Sequence, residues 1–244
     1  MLDITQYRVK ADLQRTYRLA LVTDLHNCAY RQLLDGIRRQ NPDAIVIAGD
    51  LLGNLDTRGA RSLDFLREAA AEFPVFYALG NHERRLVEDD YRVIRETGAV
   101  LLVNESVMFG ELRIGGLAPD LENQPDFIDA SHLAFAEKFS HLNGYRILLC
   151  HRPEWYFEGL RDLDIPLVLS GHAHGGQVRI FTIPVFSPGQ GLFPKYAQGM
   201  HEGRLIVSRG LGNHTIVPRF FNAPELCILT IGGEVPSDKS LQTV

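Results

Sequence analysis

Five short apolar runs in this chain end alike, each followed closely by aspartate, asparagine or histidine. Each run has three to five residues and is bounded by glycine or polar residues, which is typical of strands buried on both faces. The runs and the polar residues after them are 19–22 before Asp24 and His26, 44–48 before Asp50, 75–79 before Asn81 and His82, 147–150 before His151, and 167–169 before His172 and His174. Ligands of open α/β sheets bind at the carboxyl ends of strands, so these ends predict one shared site.

Helical periodicity fills the intervals between the early runs, over 30–40, 60–72 and about 86–97. Alternating strands and helices predict an α/β fold, a sheet with helices packed on it. Further strands are expected near 100–103, 112–117, 177–181, 204–207 and 226–231. No linker rich in glycine or proline divides the chain. We therefore expect one domain over 1–233 and a polar tail over 234–244.

Composition excludes several classes of protein. A chain of 244 residues with 45% hydrophobic and 23% charged residues can bury its own core without disulfides. The net charge of −5 disfavours binding to a nucleic-acid backbone. Three scattered cysteines fit a reducing compartment. The first ten residues lack the apolar core of a signal peptide, and no apolar run is long enough to span a bilayer. The default expectation is a cytoplasmic protein, unless a leader or anchor has been left off the sequence.

Two pairs of polar residues share one spacing. Asp24 and His26 lie two residues apart at a strand end, so their side chains point the same way, and His172 and His174 repeat this arrangement. The alternative interpretation of these two pairs is that their polar side chains cap helices. The position of each pair directly after a buried strand favours metal ligation.

Three further donors complete the predicted set. Asp50 and Asn81 each follow a glycine, which lets the chain leave a strand sharply, while His151 stands alone at its strand end. The alternative interpretation is that His151 is a buried core histidine and not a metal ligand. The seven donors include no thiolate, so they suit Mn, Fe, Zn or Ni better than a structural zinc site. They are too many for one ion with open positions and fit two ions about 3.5–4 Å apart that share a carboxylate. We expect two divalent ions, with Mn favoured.

These segments together resemble the five motifs of the calcineurin-like metallophosphoesterases. The motifs are Asp24-Leu25-His26, Gly49-Asp50, Gly80-Asn81-His82-Glu83, His151 and Gly171-His172-Ala173-His174. The resemblance implies a four-layer α-β-β-α sandwich and hydrolysis of a phosphoester by a hydroxide that bridges the two ions. It implies one ion on Asp24, His26, Asp50 and His174, and a second on Asp50, Asn81, His151 and His172. In that family the residue matching His82 acts on the leaving group or on the charge of the transition state.

Later segments resemble one bacterial branch of this family, which includes envelope-associated phosphodiesterases and hydrolases of UDP-diacylglucosamine. They are 172–177, Lys195-Tyr196, 208–212, Arg219-Phe220 and Pro224-Glu225. This branch implies a small or lipid-linked phosphodiester as substrate and is compatible with peripheral contact with a membrane. One departure is Gly53, where many relatives carry an aspartate that could orient His82. Asp56 or Glu83 are candidates to replace it.

Other functions fit parts of the same pattern. A phosphomonoesterase or a nuclease would share the fold, but the net charge disfavours the nuclease. A scaffold without catalytic activity would have lost ligands or His82, and all eight residues are present here.

The stretch 181–203 offers little regular pattern but contains many apolar residues between its prolines and glycines. Loops of this length in compact domains are usually functional or disordered. Two hypotheses stay open at this point. These side chains either cover a sheet edge or form an apolar wall beside the metals that accepts an acyl or aromatic group.

Overall fold

The computed structural model of this protein describes residues 2–53, 61–119, 127–181, 183–187, 190–212 and 219–233. The helices within these residues are α1 (Arg31–Gln40), α2 (Arg61–Glu72), α3 (Glu88–Arg95) and α4 (Ala130–Ser140). The strands are β1 (Asp3–Lys10), β2 (Tyr17–Val22), β3 (Ala44–Ala48), β4 (Val75–Ala78), β5 (Val100–Leu102), β6 (Glu105–Phe109), β7 (Leu112–Gly116), β8 (Tyr145–Leu149), β9 (Leu167–Ser170), β10 (Val178–Ile180), β11 (Ile183–Ser187), β12 (Gly191–Leu192), β13 (Gly199–His201), β14 (Leu205–Val207) and β15 (Glu225–Gly232).

One six-stranded sheet has the order β1-β15-β2-β3-β4-β5, and its strands β2 to β5 run parallel. Side chains alternate between the faces of a strand, and in β2 both faces are buried. Ala20 and Val22 of β2 pack with residues of α1, α2 and α3, whereas Leu19 and Leu21 point into the interior between the two large sheets. This double burial explains why the strand is an uninterrupted apolar run.

The second six-stranded sheet has the order β13-β14-β9-β8-β7-β6, with β7, β8 and β9 parallel. Its inner face supplies Ile114, Ile147 and Leu169 to the core shared with the first sheet. Its outer face packs against α4 and a π-helical turn at Tyr156–Leu160. The order of layers is therefore helices, sheet, sheet, helices, which confirms the predicted four-layer α-β-β-α sandwich.

The ten predicted strands, five of which are the apolar runs, and the three predicted helices all correspond to elements of the structure. Sequence reasoning missed β1, whose alternation of polar and apolar residues is that of an edge strand with one face exposed. It also missed α4, β6 and the two short strands, β11 and β12, that form a small antiparallel sheet with the predicted β10. The irregular loop expected over 181–203 was wrong in part, because β11, β12 and β13 lie within it. The predicted tail over 234–244 lies outside the described residues.

No helix in the described part of the chain is both long enough and apolar enough to cross a membrane.

Candidate metal centre

The segments that leave β2 and β3 are held side by side by backbone hydrogen bonds. The amide of Asp24 donates to the carbonyl of Gly49 (3.1 Å), and the amide of His26 donates to the carbonyl of Asp50 (3.1 Å). A second link joins the two large sheets, since the amide of His172 donates to both carboxylate oxygens of Asp24 (3.1 and 3.2 Å). The carboxyl ends of strands from both sheets therefore meet at one edge of the sandwich, as the sequence predicts.

The backbone is strained at these ends. Five of the seven predicted ligands have positive φ angles between 47° and 66°, namely Asp24, His26, Asp50, His172 and His174. Residues with a Cβ rarely adopt this conformation, and such outliers cluster at functional sites. Close approach adds a second constraint, because a Cβ on Gly49 would overlap the ring of His151, and one on Gly80 would overlap the carboxylate of Asp50.

Asp24, His26 and His174 form the first of the two donor groups that consist only of predicted ligands; a third close group joins His26 and Asp50 to His82. One ligand atom from each lies within 4.8 Å of the others, and all three residues are buried. Nε2 of His26 and Nε2 of His174 are 3.3 Å apart. Two nitrogens that each bind one ion at about 2.1 Å would be separated by about 3.0–3.4 Å. The spacing of these imidazoles therefore fits a shared ion.

Asp50, His151 and His172 form the second donor group, with the same close spacing and the same burial. Oδ2 of Asp50 lies 3.2 Å from Nε2 of His151 and 3.8 Å from Nε2 of His26, so this carboxylate faces both groups. Nδ1 of His151 donates to the carbonyl of Ala48 (2.8 Å), which directs Nε2 toward Asp50.

Asn81 and His82 begin a short 3-10 turn after β4. Oδ1 of Asn81 is buried and has no hydrogen-bond partner among the described residues, and a buried amide oxygen of this kind fits a ligand to an ion. His82 differs from the four imidazoles because 17% of its side chain is exposed, and its Nε2 lies 3.7 Å from Oδ2 of Asp50. Its position is therefore at the open side of the centre, where a substrate would approach.

Burial keeps three of the imidazoles neutral. It lowers the pKa of His26 to about 3, against the opposing effect of Asp50 and Asp24. Burial also lowers the pKa of His172 and of His174, and the neighbouring guanidinium groups of Arg152 and Arg219 lower them further. Neutral imidazoles have the lone pair that a metal ion needs.

The pKa of His151 shifts in the opposite direction in the metal-free protein. Burial alone would lower its pKa, but Asp50 beside it raises the pKa to about 10. His151 and its neighbours in turn hold the pKa of Asp50 well below its usual range, although burial acts against this. Without ions, a proton on His151 therefore balances the charge of Asp50. The donor set as a whole fits divalent cations that take over this role.

Glu83 has a different task from the one that sequence reasoning considered. It is fully buried, and it accepts hydrogen bonds from the backbone amides of Asp50 (2.9 Å), Leu52 (2.7 Å) and Gly80 (2.6 Å). Its carboxylate thus joins the turn after β3 to the turn after β4. These hydrogen bonds direct the carboxylate toward the backbone, which argues against the predicted role of orienting His82. Asp56, the other candidate for that role, lies outside the described residues.

Two arginines at the centre were missed as site residues. Nη1 of Arg152 lies 2.9 Å from Nε2 of His172, and the side chain is almost fully buried. Nη2 of Arg219 lies 3.4 Å from Nδ1 of His174, and burial lowers the pKa of Arg219 to about 10, so it stays charged at neutral pH. The sequence did contain one indication that Arg152 belongs to the site. It directly follows the predicted ligand His151, at one of the strand ends where the other site residues lie.

The chain matches the family model of the calcineurin-like phosphoesterases over residues 17–176, a range that includes all seven predicted ligands and His82. The chain belongs to this family. The resemblance inferred from the five motifs is therefore confirmed. Membership assigns the chain to the metal-dependent phosphoester hydrolases.

Curated relatives agree with this assignment. A metallophosphoesterase of Campylobacter jejuni is 31% identical over 91% of this chain, and the match spans 61% of that relative's length. The metallophosphoesterase YkuE of Bacillus subtilis is 27% identical over 95% of this chain and 86% of its own length. The phosphodiesterase YaeI of Escherichia coli is 26% identical over 81% of this chain and 76% of its own length.

Solved structures share the fold. The phosphopantetheinyl hydrolase of Mycobacterium tuberculosis superposes with a TM-score of 0.51 at 12% identity, covering 92% of this chain and 98% of that chain. The protein TT1561 of Thermus thermophilus superposes with a TM-score of 0.50, also at 12% identity, covering 64% of this chain and 82% of that chain. At this identity the likeness extends to the architecture alone.

Proposed function

We propose that this chain is a phosphodiesterase that uses two divalent ions, with Mn favoured, to hydrolyse a small or lipid-linked phosphodiester. The observation that carries the proposal is the position of Asp50, whose Oδ2 faces His26 in one direction and His151 in the other. A carboxylate between two groups of donors is the arrangement that a pair of bridged ions requires. The relative YaeI is a phosphodiesterase, which supports a diester over a monoester.

We assign one ion to Asp24, His26, Asp50 and His174, and the other to Asp50, Asn81, His151 and His172. Bound divalent ions would supply a water of lowered pKa and would neutralise charge on the phosphate. The charged side chains of Arg152 and Arg219 add positive potential at the same edge, which favours binding of an anionic substrate.

His82 is the residue that we assign to the leaving group. During hydrolysis the oxygen of water forms a bond to phosphorus, the bond between phosphorus and the leaving oxygen breaks, and that oxygen needs a proton. His82 lies at the open side of the centre beside Asp50, so its ring can donate this proton or stabilise the charge that develops there.

Replacement of His82 by alanine should therefore separate catalysis from metal binding. We expect His82→Ala to keep its ions and to lose a factor of roughly 10²–10⁴ in kcat, the usual contribution of one acid–base group. Metal content and the hydrolysis of an aryl phosphodiester would be measured on the same preparation.

A matched control is His141→Ala, which removes a histidine at the end of α4. That variant should keep full activity. If His82→Ala loses an ion, His82 is a ligand and its assigned role is wrong.

Metal affinity should depend on pH through His151. In the metal-free protein this side chain keeps its extra proton up to a pH of about 10, and an ion can bind only after displacing that proton. Affinity should therefore rise roughly tenfold per pH unit between about pH 6.5 and about 8.5, and it should fall toward acid. His26 adds nothing to this slope, because its pKa of about 3 leaves it neutral throughout the range.

The measurement is a competition titration of Mn²⁺ against a chelating dye at several pH values. His151→Gln should flatten the dependence on pH, and His141→Gln should leave it unchanged. Equal affinity at both ends of the range in the unaltered protein would contradict ligation by His151.

The diester assignment itself is tested with a panel of paired substrates in the presence of Mn²⁺. Aryl, sugar-nucleotide and glycerol phosphodiesters would be compared with the corresponding monoesters. We expect higher kcat/KM for the diesters. Preference for the monoesters would instead make the protein a phosphomonoesterase.

A further inference from the structure

Arg152 and His172 make a contact that competes with the binding of an ion. Nη1 of Arg152 lies 2.9 Å from Nε2 of His172, and both side chains are buried. Burial and the charge of Arg152 lower the pKa of His172, so its imidazole is neutral at neutral pH. A neutral imidazole has a hydrogen on one ring nitrogen and a lone pair on the other. Because a guanidinium can only donate, the contact uses the lone pair of Nε2.

The competition does not depend on which nitrogen of His172 would bind the ion. With the lone pair on Nε2 engaged by Arg152, the hydrogen of the ring is on Nδ1, and neither nitrogen is left for an ion. The other tautomer would set two N–H groups against each other at 2.9 Å. His172 can therefore share an ion with Asp50 and His151 only after the guanidinium of Arg152 has moved away.

The carboxylate of Glu154 offers the displaced guanidinium a partner. Both of its oxygens are buried, and neither accepts a hydrogen bond from the described residues. Burial raises the pKa of Glu154, and the charge of Arg152 is one of the influences that lower it, so the two side chains are close. The amide nitrogen of Gln190, another neighbour, donates to the carbonyl of Tyr196 (3.1 Å). A buried carboxylate without a partner is costly, and the planar fork of a guanidinium matches its two oxygens.

Arg219, beside the first donor group, is held in a different way. Its Nη2 donates to the carbonyl of Arg209 (2.8 Å), and its Nε donates to the carbonyl of Gly212 (2.8 Å). The distance from Nη2 to Nδ1 of His174 is longer, at 3.4 Å. Backbone acceptors therefore fix this guanidinium, and the competition for a lone pair concerns His172.

We propose that Glu154 is a positioning residue of the second donor group, which takes the guanidinium of Arg152 when His172 binds an ion. The exchange breaks one hydrogen bond of Arg152 and forms another, and no covalent bond changes. It leaves the carboxylate of Glu154 unpaired in the metal-free protein and paired in the loaded protein, so it stabilises the loaded form. The inference rests on the proposed function, because it takes His172 as a ligand.

The test isolates the second donor group in a His174→Ala protein, in which the first group lacks a ligand. The affinity for Mn²⁺ is measured against a chelating dye, with no substrate present. Glu154→Gln, Arg152→Met, the two changes together and Glu158→Gln are compared in this protein. Glu158 is an exposed carboxylate four residues further on, so its variant is the matched control. If the His174→Ala protein binds too weakly to measure, the same changes are compared in the full donor set, where the weaker of two affinities is read.

We expect Glu154→Gln to weaken the binding of Mn²⁺ roughly ten- to a hundredfold, the usual contribution of a hydrogen bond between charged groups. Glu158→Gln should change the affinity by less than about fivefold. In the Arg152→Met protein, Glu154→Gln should also change it by less than about fivefold, because Glu154 acts through Arg152. The metal-free Glu154→Gln protein should melt at the same temperature as the unaltered protein or higher, since a neutral amide is less costly to bury than an unpaired charge.

A lower melting temperature of metal-free Glu154→Gln would overturn the proposal, because a merely structural carboxylate gives that result. It is also overturned if Glu154→Gln binds Mn²⁺ as tightly as Glu158→Gln, or if its full effect persists without Arg152. Failure of the proposed function gives a different result, since the unaltered chain would then bind no Mn²⁺ at all, and the inference would fall with it.

Discussion

Replacement of Asp50 by alanine should abolish hydrolysis, with a loss of kcat/KM on the order of 10⁴ or more. Asp50 faces both donor groups, so its removal weakens the binding of both proposed ions at once. It also leaves the proton on His151 without its buried counter-charge. The variant should therefore contain neither ion after dialysis, as measured by elemental analysis alongside the rate on an aryl phosphodiester.

His174→Ala is the matched comparison, because His174 belongs to one donor group only. We expect that variant to lose one ion and to keep the other. An Asp50→Ala protein that retains both ions, or whose activity falls by less than about tenfold, would show that Asp50 does not bridge.

The second large effect is expected on stability, from Glu83→Ala. The buried carboxylate of Glu83 accepts three backbone amides. Each buried N–H that loses its acceptor costs about 1–3 kcal/mol, so the loss of three should lower the free energy of unfolding by about 3 kcal/mol or more. Metal affinity should fall as well, because these amides fix the turns that present Asp50 and Asn81. Denaturant unfolding of the metal-free protein measures the first effect.

Two further variants bracket this prediction. Glu83→Gln keeps one carbonyl oxygen as acceptor, so its loss of stability should be smaller. Glu72→Ala removes a carboxylate that is paired with Arg38 at the surface, where such pairs contribute about 0–1 kcal/mol. A Glu83→Ala protein as stable as Glu72→Ala would mean that the three amides find other acceptors.

The apolar runs of the parallel strands predict most of the fold because their signal is local. A strand such as β3, buried on both faces, has to be apolar throughout, and the polar residue after it marks where it ends. The positions of Asp50 and His151 in the structure follow from this pattern. The distance between Asp50 and His151 does not follow from the local pattern, because it depends on how the two sheets pack against each other.

The elements that were missed depend on distant parts of the chain. Strand β1 pairs with β15, so that Asp3 lies opposite Glu225, and no local feature specifies that partner. Strand β11 contains Pro184, which disfavours a strand by itself, but packing against Gly176 stabilises it there. The role of Glu83 likewise required three backbone amides from two turns to converge on one carboxylate.

The central claim is that two ions at this centre carry the reaction, and one titration tests it directly. Chelated, metal-free protein is supplied with increasing Mn²⁺, and bound metal per chain is measured together with the rate of diester hydrolysis. We predict no activity without metal and a rate that saturates when two ions are bound per chain. Full activity with no transition metal bound, or saturation at one ion per chain, would contradict the two-ion centre.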